Sequence, residues 1–241
     1  MGLRVYGRNI ESFIFDVDGV ILDLMAYFPT NLILAARDSG LPDYTIQKYF
    51  FDVWSGNRIP KNGLRENIDD IFKELDIKIT DKLINKFLKN LNNREKKHPY
   101  KLIEKSLDAI LLFKKYGKVS LCTSNSRKML EEKFTALDVR IPLDIFSCIS
   151  TPDEDSANAA KPDPRALQYI FEETGVTARE SMFFGDWHPD VWAANCFPKM
   201  TFIGVTSGGV TKDTFIKGLG VKEDRIFPSI FEAYKNFKKD V

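Results

Sequence analysis

A short apolar run, Ser12-Phe13-Ile14-Phe15, ends in Asp16-Val17-Asp18-Gly19. Side chains two residues apart in an extended chain point the same way, so Asp16 and Asp18 can reach one site. Two carboxylates that close repel unless a cation or a proton lies between them. Gly19 permits a sharp turn that a residue with a Cβ would resist. Other polar groups follow later apolar runs: Thr123 with Ser124 and Asn125 behind Leu121-Cys122, and Asp186 and Asp190 behind Phe183-Phe184-Gly185. An isolated Lys161 precedes Pro162-Asp163-Pro164 at the start of a helix. Gathered at one sheet edge, these groups have a coherent chemistry. Several acids converging on one point need a hard divalent cation, and Mg²⁺, which prefers oxygen ligands, fits. With Lys161 that cation would neutralise a phosphoryl group, while Thr123 and nearby backbone N–H groups bond its oxygens. One carboxylate is then free to attack phosphorus, and another to protonate the leaving oxygen and later activate water.

These groups meet only if a parallel sheet brings the strand ends level. The pattern predicts strands over 12–15, 118–122, 145–149, 181–184, 200–205 and 225–227. Helices over 102–115, from 126 through 137, and over 163–174, 190–195 and 231–238 separate them. That alternation predicts an α/β fold with a doubly wound parallel sheet, a Rossmann-like core whose ligands bind outside the carboxyl ends of the strands. Between the first strand and the rest, four apolar stripes recur at helical spacing. They are Leu24, Phe28 and Leu32; Ile46, Tyr49, Phe50 and Trp54; Leu64, Ile68, Ile71, Phe72 and Leu75; and Leu83, Ile84, Phe87, Leu88 and Leu91. With no strand pattern among them they read as a small all-helical bundle, inserted after strand one. Polar residues 92–99 read as the return linker. The expected division is a catalytic core of 1–22 and 99–241 and a helical domain of 23–98.

Composition narrows the partners. A formal charge of +1, from 35 basic and 34 acidic residues, creates no field to attract nucleic acid or an anionic membrane. At 241 residues with 19 Phe the chain can bury a large core. Cys122, Cys148 and Cys196 show no metal-type spacing, and the first two lie in apolar runs as buried thiols. Reduced thiols, with no leader-like or membrane-spanning stretch, point to a cytoplasmic protein. The chain is expected to pass almost directly from its N-terminus into the first core strand.

Taken in order, FDVDGVILD, LCTSNS, KPDPRALQYIFEETG and FFGDWHPDVWAAN resemble the four motifs of the haloacid dehalogenase superfamily, over about residues 11–206. The insertion resembles the helical cap of its phosphoglycolate phosphatase and β-phosphoglucomutase branch. The resemblance implies Asp16 as nucleophile and metal ligand, and Asp18 as general acid/base with its carbonyl a second ligand. It implies that Thr123 and the Ser124 amide bond the phosphoryl group, that Lys161 pairs with Asp16, that Asp186 is a metal ligand and that Asp190 is a ligand or orients bound water. The activity implied is Mg²⁺-dependent hydrolysis of a small phosphorylated metabolite through an aspartyl phosphate. Members that cleave carbon–halogen or phosphonate bonds lack the second acid, so Asp18 favours phosphoesters. A phosphomutase that passes the phosphoryl group to a second hydroxyl is the alternative. A non-enzymatic phospho-accepting switch is a distant third, since such domains are shorter and lack the insert. Trp187-His188-Pro189 departs from the small polar residues usual there and narrows the metal site.

Other residues carry weaker expectations. Arg58 and Lys61, in the loop 55–63, are candidates for binding an anionic part of the substrate; Asn125 and Asn57 are candidate polar liners. His188 reads as a helix start and His98 as a linker residue. Asp153-Glu154-Asp155 reads as a solvent-facing acidic loop. Asp23 reads as a helix cap or a hinge contact, and Gly208-Gly209 as a turn.

Overall fold

The computed structural model describes residues 2–60, 64–74, 80–97, 100–153 and 159–238. The chain divides into two units, Met1–Asp23 with Tyr100–Val241, and Leu24–Pro99. The first unit opens with an antiparallel ribbon, β1 (Leu3–Val5) and β2 (Arg8–Ile10), turning at Tyr6-Gly7 with both residues in the left-handed region. The direct entry expected from the sequence is therefore wrong. Three-residue strands are too short to leave an alternation that a sequence reading can detect. β3 (Ser12–Phe15) follows, buried along its whole length.

In the second unit, a 3₁₀ turn at Leu24–Ala26 leads into α1 (Phe28–Ser39), α2 (Asp43–Trp54), α3 (Leu64–Glu74) and α4 (Asp81–Glu95). Gly40 stops α1 by adopting φ 77°, from where its N–H donates to the Ala36 and Arg37 carbonyls. The Thr80 hydroxyl starts α4 by accepting from the Leu83 N–H. Each helix buries one stripe, among them Leu32, Ile46, Phe72 and Phe87. The linker expected at 92–99 is partly helix: α4 runs on to Glu95, and Arg94 reaches Asp38 on α1 at 2.5 Å. Polar side chains on the outer face do not interrupt a helix whose inner stripe is already paid for by burial. Leu75, His98 and Pro99 lie outside the described residues.

The remainder of the first unit alternates α5 (Ser106–Lys114), β4 (Lys118–Cys122), α6 (Arg127–Thr135), β5 (Cys148–Ser150), α7 (Arg165–Thr174), β6 (Ser181–Gly185), α8 (His188–Asn195), β7 (Thr201–Val205), β8 (Ile226–Phe227) and α9 (Ile230–Phe237). Its six-stranded sheet is parallel throughout, in the order β5-β4-β3-β6-β7-β8. The fold is thus the doubly wound, Rossmann-like sheet expected. The chain winds outward from β3 through β4 to β5, then returns to β3's other side with β6, which makes β3 the reversal point. Phe15 sits level with Leu121 and Phe184, so the carboxyl ends of β4, β3 and β6 open side by side. Phe13, Phe15, Phe113 and Phe184 pack with ring centroids 4.8–5.8 Å apart and pin this centre against α5.

Several boundaries differ from expectation. A 3₁₀ turn over Leu143–Ile145 takes the first residue of the strand expected at 145–149, because Pro142 leads into it and the Phe146 N–H closes on the Leu143 carbonyl; β5 begins only at Cys148. α5 begins at Ser106, since Lys105 takes φ 59° and Leu102 is held in a bridge to Leu22. α8 starts two residues early, at His188, with Pro189 in its first turn. Among the described residues no helix is long and apolar enough to cross a membrane.

Candidate active site

Asp16 follows β3 directly, and its N–H donates to the Phe184 carbonyl at 2.9 Å. Asp186 follows the last residue of β6, and Asp190 stands in the first turn of α8. The Asp190 carboxylate accepts from the Asp186 and Trp187 N–H groups at 3.2 and 3.0 Å, so the helix start itself fixes it. Lys161 Nζ lies 2.5 Å from Asp16 Oδ1 and 2.6 Å from Asp190 Oδ1, all three side chains being at most 10% exposed. Asp16, Asp186 and Asp190 each offer an oxygen within 4.8 Å of the others.

The electrostatics of this group are unbalanced. Burial, with Asp190 and Asp18 nearby and only partly offset by Lys161, raises the Asp16 carboxyl to about 7. Burial, then Asp16 and Asp190, hold Asp186 well above the ordinary carboxylate range. Burial would lower Lys161, but Asp16 and Asp190 reverse this and raise it. Three buried acids therefore face one ammonium among the described residues, and Asp186 Oδ1 is buried without a hydrogen-bond partner. A buried, unpartnered carboxylate oxygen is costly. The donor set is all oxygen and short of positive charge, so Asp16, Asp186 and Asp190 can hold a hard cation.

Backbone closes in on Asp186 from two sides. A Cβ on Gly19, whose φ is 80°, or on Gly208 would overlap the Asp186 carboxylate. Ser207 Oγ donates to the Gly19 carbonyl at 2.6 Å and ties the two loops together. The turn expected at Gly208-Gly209 is thus a 3₁₀ turn, Thr206–Gly208, that forms a wall of the site. Gly208 has no positive φ, so alanine there acts through its methyl group alone. Gly208→Ala is expected to displace Asp186, weaken divalent-cation binding roughly 10- to 100-fold, and cost about 1–3 kcal/mol. Melting curves taken over a Mg²⁺ titration measure both; unchanged Mg²⁺ binding in the variant would separate Asp186 from the cation site.

Asp18 faces elsewhere. Its oxygens accept from Lys133 Nζ at 2.8 and 2.7 Å and from Asn125 Nδ2 at 2.7 Å. Burial raises its carboxyl, but the charge and hydrogen bonds of Lys133, with Asn125, outweigh that and lower it. Asn125 also donates from Nδ2 to Thr123 Oγ1 at 2.9 Å and from its N–H at 3.1 Å. The Thr123 N–H is held by the Ser150 carbonyl, and Ser124 is exposed just behind it. Asn125, expected only to line the site, is a bridge between Thr123 and Asp18.

The structure thus brings together Asp16, Lys161, Asp186 and Asp190, and beside them Asp18, Asn125 and Thr123. Arg58 belongs to the helical unit, its guanidinium 4.5 Å above the Tyr49 ring, and Lys61 lies outside the described residues. Asn57 Nδ2 donates to Ser55 Oγ. His188 is buried with Trp187 and Trp192 edge-on at 5.2 and 5.9 Å, and burial lowers it to about 4, so it is a neutral packing residue. Asp153 accepts from the Arg127 N–H at the start of α6; Glu154 and Asp155 lie outside the described residues. The Asp23 N–H donates to the Lys101 carbonyl. Burial raises the Cys122 thiol to about 12, which leaves it unreactive. Sequence reasoning missed Lys133. Its signal was a lysine on a stripe otherwise formed by Leu130 and Phe134.

Residues 10–197 match the family model described as haloacid dehalogenase-like hydrolase. No curated protein matches the sequence. Among solved structures, a predicted phosphoglycolate phosphatase from Haemophilus somnus is 18% identical, with a TM-score of 0.71 over 94% of this chain and 97% of its own. A haloacid dehalogenase-like protein of unknown function from Agrobacterium tumefaciens is 18% identical, with a TM-score of 0.74 over 96% and 99%. CbbY from Rhodobacter sphaeroides, in complex with xylulose-1,5-bisphosphate, is 18% identical, with a TM-score of 0.69 over 92% and 96%. At these identities the likeness is one of fold.

Proposed function

The chain belongs to the haloacid dehalogenase-like hydrolases, and from there we propose that it is a Mg²⁺-dependent phosphatase of a small phosphorylated metabolite, working through an aspartyl phosphate on Asp16. The observation that carries this reading is the buried group of Asp16, Asp186 and Asp190 with Lys161 spanning Asp16 and Asp190. With a cation held by these acids, Lys161 and that cation would together place positive charge where a phosphoryl group sits, beside the one carboxylate free to attack it.

Asp186, Asp190 and Asp16 would hold the cation, which when bound supplies the charge that keeps Asp16 ionised and polarises a phosphoryl oxygen. Asp16 attacks phosphorus as the ester bond breaks, and the leaving oxygen takes a proton from Asp18. Lys161 holds Asp16 in place and faces the phosphoryl oxygens, with Thr123 and the Ser124 amide as further donors. In the second half, Asp18 takes a proton from a water that attacks phosphorus, which frees phosphate and restores Asp16. The carboxylate that Lys133 and Asn125 favour suits this half, whereas the first half draws on the minor, protonated form of Asp18. By the same resemblance, Leu24–Pro99 is read as the cap that selects the substrate, with Arg58 and Lys61 as its cations for an anionic leaving group.

A panel of phosphomonoesters incubated with the purified protein tests this. Inorganic phosphate is expected to appear only with added Mg²⁺ and to stop with a chelator. Isomerisation of a sugar phosphate without net phosphate release would establish the mutase instead, and activity indifferent to divalent cations would refute the metal assignment.

A further inference from the structure

Lys133 is out of place by every local rule. It lies on α6 beside Leu130 and Phe134, on the face that the helix buries, and its side chain is 7% exposed. An ammonium on an apolar stripe is costly unless it is fully paired. Lys133 meets that cost by donating to both oxygens of Asp18, 115 residues away in sequence, and to Asn125 Oδ1 at 3.0 Å. The Tyr100 ring, its centroid 5.7 Å from Nζ, covers it. Asn125 in turn donates to Asp18 Oδ2 and Thr123 Oγ1. Lys133, Asn125 and Asp18 form a closed triangle of hydrogen bonds, with Thr123 tied to one corner.

A carboxylate on one short side chain rotates about two bonds unless something stops it. Here both oxygens are engaged, one by Lys133 alone and the other by Lys133 and Asn125, so the carboxylate plane is fixed. Each oxygen has more than one acceptor direction, so the clamp leaves room for a water or a leaving oxygen. We propose that Lys133 is a positioning residue: it holds the Asp18 carboxylate in the orientation that removes a proton from the water attacking phospho-Asp16. The proposal rests on the phosphatase reading above and extends it to a residue that never touches substrate. In the step it serves, a water O–H bond breaks, its proton passes to Asp18, the new P–O bond forms, and the P–O bond to Asp16 breaks.

Rapid mixing with p-nitrophenyl phosphate in Mg²⁺ isolates that step, because p-nitrophenolate departs without needing a proton. In Lys133→Met, p-nitrophenolate is expected in a burst of about one equivalent per enzyme, followed by a steady-state rate down roughly a hundredfold. KM falls in parallel with kcat, since the phosphorylated form accumulates. Lys133→Arg keeps the charge and two N–H donors, and is expected to recover the rate to within about fivefold. Asn125→Ala, which removes a single donor from the clamp, is expected to show the same burst with a smaller loss. A purely structural pairing gives a different pattern. It would lower burst and steady-state rate together in proportion to unfolded protein, and that result overturns the proposal, as does an unchanged Lys133→Met or an arginine variant no better than the methionine one. A wild-type protein that releases no p-nitrophenolate at all would sink the phosphatase reading, and this inference with it. An active wild type with an unaltered Lys133→Met sinks this inference alone.

Discussion

With asparagine in place of Asp16, phosphate release in Mg²⁺ is expected to fall by at least about four orders of magnitude. The amide keeps the shape of the carboxylate but has no lone pair able to displace an alkoxide from phosphorus. The fold is expected to survive, for an electrostatic reason visible in the site. Asp16 is raised to about 7 because burial and Asp190 oppose its charge. Removing that charge therefore relieves the cluster, while Lys161 keeps Asp190 as a partner at 2.6 Å. In a chelator at pH 8, Asp16→Asn is expected to melt no lower than the wild type. Residual turnover in a well-folded Asp16→Asn protein would remove Asp16 from the nucleophile's role.

Lys161→Met is expected to damage stability and turnover together. It leaves Asp16 and Asp190 buried without their ammonium, a loss of about 3–5 kcal/mol, or about 10 °C in melting temperature for a chain of this size. The pH dependence follows from the raised Asp16. In the unfolded chain that carboxyl gives up its proton near pH 4, in the native state only near 7. Between those values the native state holds the extra proton, so stability falls as pH rises, by about 4 kcal/mol for a displacement of this size. The metal-free wild type is thus expected to melt lower at pH 8 than at pH 5, with Lys161→Met falling more steeply still. Added Mg²⁺ is expected to raise the melting temperature more at pH 8 than at pH 5, because Asp16 is ionised at the higher pH and protonated at the lower. Melting curves that are flat with pH in the chelated protein would contradict the electrostatic account.

The parts of this protein that the sequence discloses are those whose cause is local. Asp16 and Asp186 are legible because each ends an apolar run, and a parallel sheet must bring such ends to one edge. Lys161 is legible as a lone cation before a proline-rich helix start, and the helical unit as four stripes at helical spacing. What stays hidden depends on approach in space. Nothing near Gly208 announces that a methyl group there would strike Asp186, 22 positions earlier. Lys133 sits after two glutamates that suggest a solvated face, and its partner Asp18 lies 115 positions earlier in the sequence. The β1–β2 ribbon and the late start of β5 are hidden for a simpler reason: three residues carry too little pattern to register.

The account turns on the Asp16 carboxylate becoming phosphorylated. Acid quenching of wild-type protein within a single turnover, borohydride reduction and peptide mapping read this directly, since reduction converts a phosphorylated aspartate to homoserine. Homoserine at position 16, present only when substrate and Mg²⁺ are both supplied, is the expected result. Homoserine at position 18, or a wild type that turns over substrate with no modification at position 16, would contradict it.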